Sequence, residues 1–271
     1  MMILQYKKKP IMILHSKILG NGFPLLVFHG LFGNGENWMS FAKEFYKYCQ
    51  VHLLDIRNHG KSFSSKEMDY ELISKDILEY INHHDLSHPI LIGHSMGGRA
   101  VMKFSMKYPL IPKKIIIVDI THKAYSPEIG HKNKNIIQIL KNVNFDIIQT
   151  RKDLDIFLKP LIHNKEKRIF FSKCTYRKKN GKLAFRFSLF EIEKNYDSLI
   201  HEEIKQNGVY NGPALFLRGE NSNFILSQDY ISIKKLFPNS KIVTIKKAKH
   251  WIHVENPIDF YKEVSNFLSI F

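Results

Sequence analysis

Pro89-Ile90-Leu91-Ile92-Gly93-His94-Ser95-Met96-Gly97-Gly98-Arg99 is the stretch on which the reading of this chain turns. A short apolar run, Ile90 to Ile92, stops at Gly93 and gives way to small residues. Ala100, Val101, Phe104 and Tyr108 then recur at helical spacing. The pattern predicts a strand, a sharp turn and a helix, with Ser95 at the apex of Gly-x-Ser-x-Gly. A serine on so tight a turn is forced into a strained backbone conformation, and a side chain at Gly93 or Gly97 would collide with its neighbours. The hydroxyl would stand clear of the sheet at a helix N-terminus, where backbone N–H groups favour developing negative charge. At average residue usage this five-residue pattern arises by chance in roughly one chain in ten of this length. Its surroundings therefore decide what it means.

Working upstream, Leu25 to Phe28 reads as a strand running into His29-Gly30-Leu31-Phe32-Gly33, with Ile11 to Leu19 a strand before it and Asn21-Gly22 a turn signal between them. Trp38, Phe41, Ala42 and Phe45 predict a helix over 38–48. Val51 to Leu54 is a further strand, leading into Asp55-Ile56-Arg57-Asn58-His59-Gly60, and Tyr70 to Ile81 is a helix. Downstream, Ile115-Ile116-Ile117-Val118 is an unbroken apolar run, as expected of a strand buried on both faces. Alternation of strand and helix then lapses from Thr121 to Gln206, with helical spacing around Ile136, Ile137 and Leu140 and a strand at Leu183 to Phe187. That is too long for a bare loop in a compact domain. Alternation resumes with a strand at Ala214 to Leu217, a helix near 229–236, a strand at Lys241 to Ile245, His250, and a closing helix over 258–268. The expected fold is α/β: a mostly parallel, doubly wound sheet made of residues 1–120 and 207–271, with a helical cap inserted over 121–206.

Composition narrows the class. The 271 residues are 44% hydrophobic and 24% charged, as in globular domains. No apolar run approaches the roughly 18 residues of a membrane span, and no signal peptide is apparent, so the expected location is cytoplasmic. Cys49 and Cys174 lie far apart without metal-ligand spacing. The net charge of +16 is spread along the chain rather than gathered with a nucleic-acid motif, which argues against a nucleic-acid partner.

With these segments in order, the chain resembles the α/β-hydrolase superfamily, and within it the small bacterial acyl-esterase branch that has mitochondrial relatives in animals. The resemblance rests on His29 to Gly33, Asp55 to Gly60, Gly93 to Gly98, Val118-Asp119-Ile120 and Lys249-His250-Trp251. It implies serine-dependent hydrolysis of an acyl ester or thioester through an acyl-enzyme, with no metal or organic cofactor. Ser95 would be the nucleophile and His250, after the last strand, its base. His253 is the nearest rival base, and His94 is expected to be structural. Superfamily members commonly carry the acid after the strand that follows the cap, but here that stretch is Gly219-Glu220-Asn221-Ser222. Asp119, where the related esterases appear to carry theirs, is the favoured acid, Glu220 the alternative, and Ser222 an auxiliary that could bond the same histidine. The oxyanion hole would be the N–H groups of Leu31 and Met96. Phe32, Phe185, Phe187 and Trp251 are expected to line the substrate pocket, and Arg57 and Asn58 to brace loops, while Arg99, one turn into the helix, is open between bracing and function. The positive charge suggests an acidic handle on the substrate, such as a carrier thioester. A carrier-protein methyl-ester esterase or a carbon–carbon bond hydrolase would use the same triad; a non-catalytic binding module would not need it.

Overall fold

In a computed structural model, residues 12–204 and 208–270 are described. Among the described residues nine strands are formed: β1 (Ser16–Leu19), β2 (Phe23–Phe28), β3 (Cys49–Leu54), β4 (Ile90–His94), β5 (Lys114–Val118), β6 (Thr175–Arg177), β7 (Leu183–Phe185), β8 (Ala214–Gly219) and β9 (Ser240–Ile245). Seven of them make one sheet in the order β1-β3-β2-β4-β5-β8-β9. All neighbours in it run parallel except β1, which lies antiparallel on β3 rather than on β2, so the turn after β1 does not close a hairpin.

Why both faces are apolar follows from the two-residue period of a strand. Ile115 and Ile117 of β5 join one core, with Leu26, Phe28 and Leu91. Ile116 and Val118 join the opposite one, with Leu25, Val27 and Ile92. Helices α1 (Met39–Phe45), α2 (Tyr70–His83) and α3 (Met96–Lys107) follow the first strands. Asp69 starts α2 by accepting from Leu72 N at 2.7 Å, relieving one unpaired N–H of its first turn.

Between β5 and β8 the chain forms α4 (Pro127–Lys141), α5 (Arg151–Leu158), α6 (Lys165–Lys173), the β6–β7 hairpin and α7 (Leu189–His201). These elements bury a third apolar cluster of their own, including Ile137, Leu140, Leu154, Leu158, Phe171 and Tyr196. Thr175–Arg177 is a strand that apolar periodicity does not reveal, because Tyr176 and Arg177 are exposed and its ladder is only three residues long. The predicted strand 183–187 ends at Phe185, and Phe187 instead makes an isolated bridge with His59. The expected boundary at 206/207 falls outside the described residues. Helices α8 (Tyr230–Leu236), α9 (Ile252–Glu255) and α10 (Pro257–Leu268) complete the chain.

Candidate active site

The C-terminal ends of β2, β4, β5 and β8 converge on Ser95. This residue joins β4 to α3 with φ 53° and ψ −118°, a backbone region that costs a non-glycine residue on the order of 1–3 kcal/mol. Packing enforces it: a Cβ on Gly93 would overlap the carbonyl of Gly97, and one on Gly97 would overlap that of Phe28. Ser95 N donates to Val118 O at 3.1 Å, and Arg99 N to Ser95 O at 3.0 Å, so the turn is held from both sides.

One strand over, Asp119 follows β5 with φ 50° and is completely buried. Its Oδ1 accepts from Gly219 N at 2.9 Å, and its Oδ2 accepts from His250 Nδ1 at 2.8 Å and from the Ser222 hydroxyl. Facing three donors, the carboxylate acts only as an acceptor here. The His250 proton therefore sits on Nδ1, and Nε2 carries a free lone pair. Phe224 stacks on the imidazole with centroids 3.7 Å apart and planes 14° apart, fixing the ring's tilt. The backbone carbonyl of His250 accepts from His94 Nε2 at 2.9 Å, which ties the loop carrying it to the neighbour of Ser95. Burial, with the adjacent His250 and His253 rings, holds the His94 pKa well below the usual histidine value, so it serves as a neutral donor. Among the described residues Ser95 Oγ makes no hydrogen bond.

The loop after β2 is shaped by two buried histidines. His29 donates from Nδ1 to Gly30 O at 2.8 Å and accepts at Nε2 from Ile56 N at 3.0 Å. His59 donates from Nδ1 to Arg57 O at 2.9 Å and accepts at Nε2 from Phe32 N at 3.2 Å. Each ring can make both bonds only when neutral, and burial lowers the pKa of His29 to about 4 and of His59 to about 3. Phe32 N is thereby spent. The N–H groups of Leu31 and Met96 have no partner among the described residues, and both residues border the cavity beside Ser95.

That cavity is small, about 20 Å³, and is lined by Leu31, Met96 and Tyr70 from the sheet side and by Tyr125, Asn133, Tyr196, Leu199 and Ile200 from the insertion. The residues expected to line the substrate pocket are not among these. Phe32 and Phe187 are 5% and 6% exposed and pack on each other at 5.2 Å, Phe185 stacks on Phe187 at 4.8 Å, and none of the three borders the cavity. Phe32, from the loop after β2, joins Phe185 and Phe187 in the apolar cluster between that loop and the insertion, where aromatic area is buried against aromatic area. Trp251 packs on Phe170 at 5.3 Å, also away from it. Ser222 bonds the carboxylate and not the imidazole. The alternative acid, Glu220, is exposed and caps Lys247 N at 2.9 Å. The rival base, His253, is half-buried, stacked on Trp38 at 4.1 Å, and pushed by desolvation to a pKa of about 3.

The bracing residues pack as bracing residues should. Arg57 makes a two-point pair with buried Asp76, at 2.6 and 2.7 Å. Asn58 accepts from Ser65 N at 2.7 Å. Arg99 is completely buried, bonded to the carbonyls of Lys123 and Glu202 at the two ends of the insertion. Tyr70, Tyr125, Tyr196 and Phe224 carried no signal in the sequence as site residues. Their importance comes from contacts across more than one element, although Phe224 lies only two residues from Ser222. No cluster of three or more metal-ligating side chains occurs among the described residues, and no helix there is long and apolar enough to cross a membrane.

A seven-stranded sheet with a strained serine between its fourth strand and the next helix defines an α/β-hydrolase. The α/β-hydrolase fold family model matches residues 24–144. A Haemophilus influenzae protein assigned to the esterases and lipases is 34% identical over 248 residues, covering 91% of this chain and 83% of that protein. An sn-1-specific diacylglycerol lipase of Danio rerio, ABHD11, is 32% identical over 256 residues, covering 92% and 79%. A solved marine microorganism esterase superposes with a TM-score of 0.91 at 36% identity, covering 95% of this chain and all of that one. The chain belongs to the α/β-hydrolase superfamily, with bacterial and animal relatives, and is a hydrolase of its esterase/lipase group.

Proposed function

We propose that this protein hydrolyses small acyl esters through an acyl-enzyme on Ser95, with His250 as base and Asp119 as acid. Ser95 Oγ attacks the ester carbonyl carbon while its proton passes to His250 Nε2. The tetrahedral oxyanion accepts from the N–H groups of Leu31 and Met96. The imidazolium, stabilised by Asp119, returns the proton to the departing alkoxide, leaving the acyl-serine. Water then attacks, again giving its proton to Nε2, and the acid and Ser95 are released.

The observation that carries this reading is the buried Asp119–His250 bond of 2.8 Å, which sets the imidazole's tautomer beside a serine on a strained turn. Residues 121–206 act as a cap whose Tyr125, Asn133, Tyr196, Leu199 and Ile200 close the cavity. The closeness of those side chains to Ser95 favours short acyl groups over long chains. The same attack serves thioesters, and the +16 charge favours an acidic carrier on the leaving group.

The test is labelling by a fluorophosphonate, with the adduct mapped by mass spectrometry, beside rates on p-nitrophenyl esters of two to twelve carbons. Labelling at Ser95, lost in Ser95→Ala, and a maximum at or below four carbons are expected. An unlabelled, folded protein would overturn the mechanism. Equal salt dependence for a neutral ester and a matched coenzyme A thioester would remove the carrier.

A further inference from the structure

Two stretches of chain join the cap to the sheet, one leading into α4 and one leaving α7, and both are tied to the helix that carries Ser95. Tyr125 N donates to Ile200 O at 2.9 Å and Ile204 N to His122 O at 2.8 Å, so the two stretches form a backbone-paired neck. Between those bonds lie the carbonyls of Lys123 and Glu202. Each accepts from a different nitrogen of one side chain, Lys123 O from Arg99 Nη1 and Glu202 O from Arg99 Nη2. Arg99 belongs to the first turn of α3 and is completely buried, and its own backbone N–H donates to Ser95 O at 3.0 Å.

Arginine suits this place and lysine does not. A planar guanidinium holds two acceptors at once in a fixed fork, whereas an ammonium is a point charge on a flexible stem. The Glu202 carboxylate pairs with Lys103 at 3.3 Å, and among the described residues no carboxylate forms an ion pair with Arg99. Its bonds therefore fix main-chain positions rather than neutralise charge, in return for a costly desolvation. The rings of Tyr70 and Tyr125 hold the cation in place, with their centres 5.0 and 5.1 Å from the guanidinium carbon. Both carbonyls stand next to the wall of the cavity beside Ser95. Lys123 is two residues before Tyr125, and Glu202 is two and three residues after Ile200 and Leu199, all three of which line that cavity. Met96, on the opposite wall, precedes Arg99 by three residues in the same helical turn.

We propose that Arg99 is a positioning residue: by holding both carbonyls of the neck, it sets how close the cap wall stands to Ser95 and so restricts the acyl group to short chains. This rests on the esterase reading above and adds to it the device that limits chain length. Without the fork, both carbonyls lose a charge-assisted donor, and the neck is free to draw away from α3. Tyr125, Leu199 and Ile200 move with it, since they lie within three residues of the two anchor points. A shift of about 1 Å in such a wall is enough to change rates, and each methylene it admits or rejects alters the preference between substrates.

The test measures kcat/KM for p-nitrophenyl butyrate and octanoate in the wild type, Arg99→Lys and Arg99→Met. The octanoate-to-butyrate ratio should rise about tenfold in Arg99→Met, and at least about threefold in Arg99→Lys, which keeps the charge but not the fork; KM for butyrate should rise in both. Loss of folded enzyme lowers both rates alike, so it cancels from the ratio and leaves KM unmoved. A ratio within about twofold of the wild type in either variant would overturn the assignment. Should neither variant fold, amide hydrogen exchange in the wild type decides. Peptides spanning 121–126 and 199–204 should exchange within about tenfold of those from α3, because the Arg99 bonds make them open as one unit; faster exchange of either would also overturn it. Failure of the esterase reading is visible separately, as no turnover of any ester by the wild type, and the exchange measurement still tests the clamp.

Discussion

Replacing Asp119 with asparagine preserves shape and volume but reverses one hydrogen-bond role. Gly219 N donates to Oδ1 at 2.9 Å, so the amide must keep its oxygen on that side; the flipped amide would set two donors against each other. The NH2 group then faces His250 Nδ1, previously 2.8 Å from the carboxylate, and the Ser222 hydroxyl. To accept from that NH2, the imidazole must move its proton to Nε2, the atom proposed to take the serine proton. The resting enzyme is thereby held in the wrong tautomer, and the imidazolium loses its counter-charge. A loss of about 10³- to 10⁴-fold in kcat is expected, or roughly 4–5 kcal/mol of transition-state stabilisation. The substrate sits elsewhere, so KM should change less than threefold. One buried charge is removed while Gly219 keeps its acceptor, so the melting temperature should move by only a few degrees. Stopped-time p-nitrophenyl butyrate assays and differential scanning calorimetry read the two quantities. A kcat within tenfold of the wild type would refute the reasoning, because among the described residues no other acidic side chain is bonded to the ring.

Two further outcomes follow from neighbouring features. Phe224→Ala removes the ring stacked at 3.7 Å on His250 and should lower kcat roughly fivefold, the equivalent of about 1 kcal/mol, with KM little changed; an unaltered kcat would show that the Asp119 bond alone orients the imidazole. Stability should also fall in mild acid. His29, His59 and His253 are held by burial to pKa values of about 4, 3 and 3, whereas the unfolded chain binds those protons near 6.5. Their neutral forms cost nothing above pH 6.5, and stability is lost as pH falls from there toward the folded values. The three together remove about 4 kcal/mol by pH 5.5, measurable as a lower urea midpoint than at pH 8; an equal or higher midpoint at pH 5.5 would contradict it.

Much of the architecture was legible locally. The Ile115–Val118 run announced a strand covered on both faces, and Gly93-x-Ser95-x-Gly97 a turn that only small flanking residues permit. The pairing of Asp119 with His250 was legible through the resemblance to esterases that carry their acid after this strand, with strand ends meeting at one edge of the sheet making the reach possible. Glu220 was a weaker candidate on the same ground and proves to cap Lys247.

What the sequence by itself determined, then, is whatever depends on period and on near neighbours: strands, helices, the strained turn, and the order in which reactive groups reach one edge. Only the tertiary structure decided which aromatics face the cavity. Phe32, Phe185 and Phe187 look like pocket residues in a list, yet they pack together between the loop after β2 and the insertion, while Tyr70, Tyr125 and Tyr196 come to the cavity from three distant stretches of chain. A residue's apolarity says that it will be buried, but the packing of distant segments chooses the partner it is buried against.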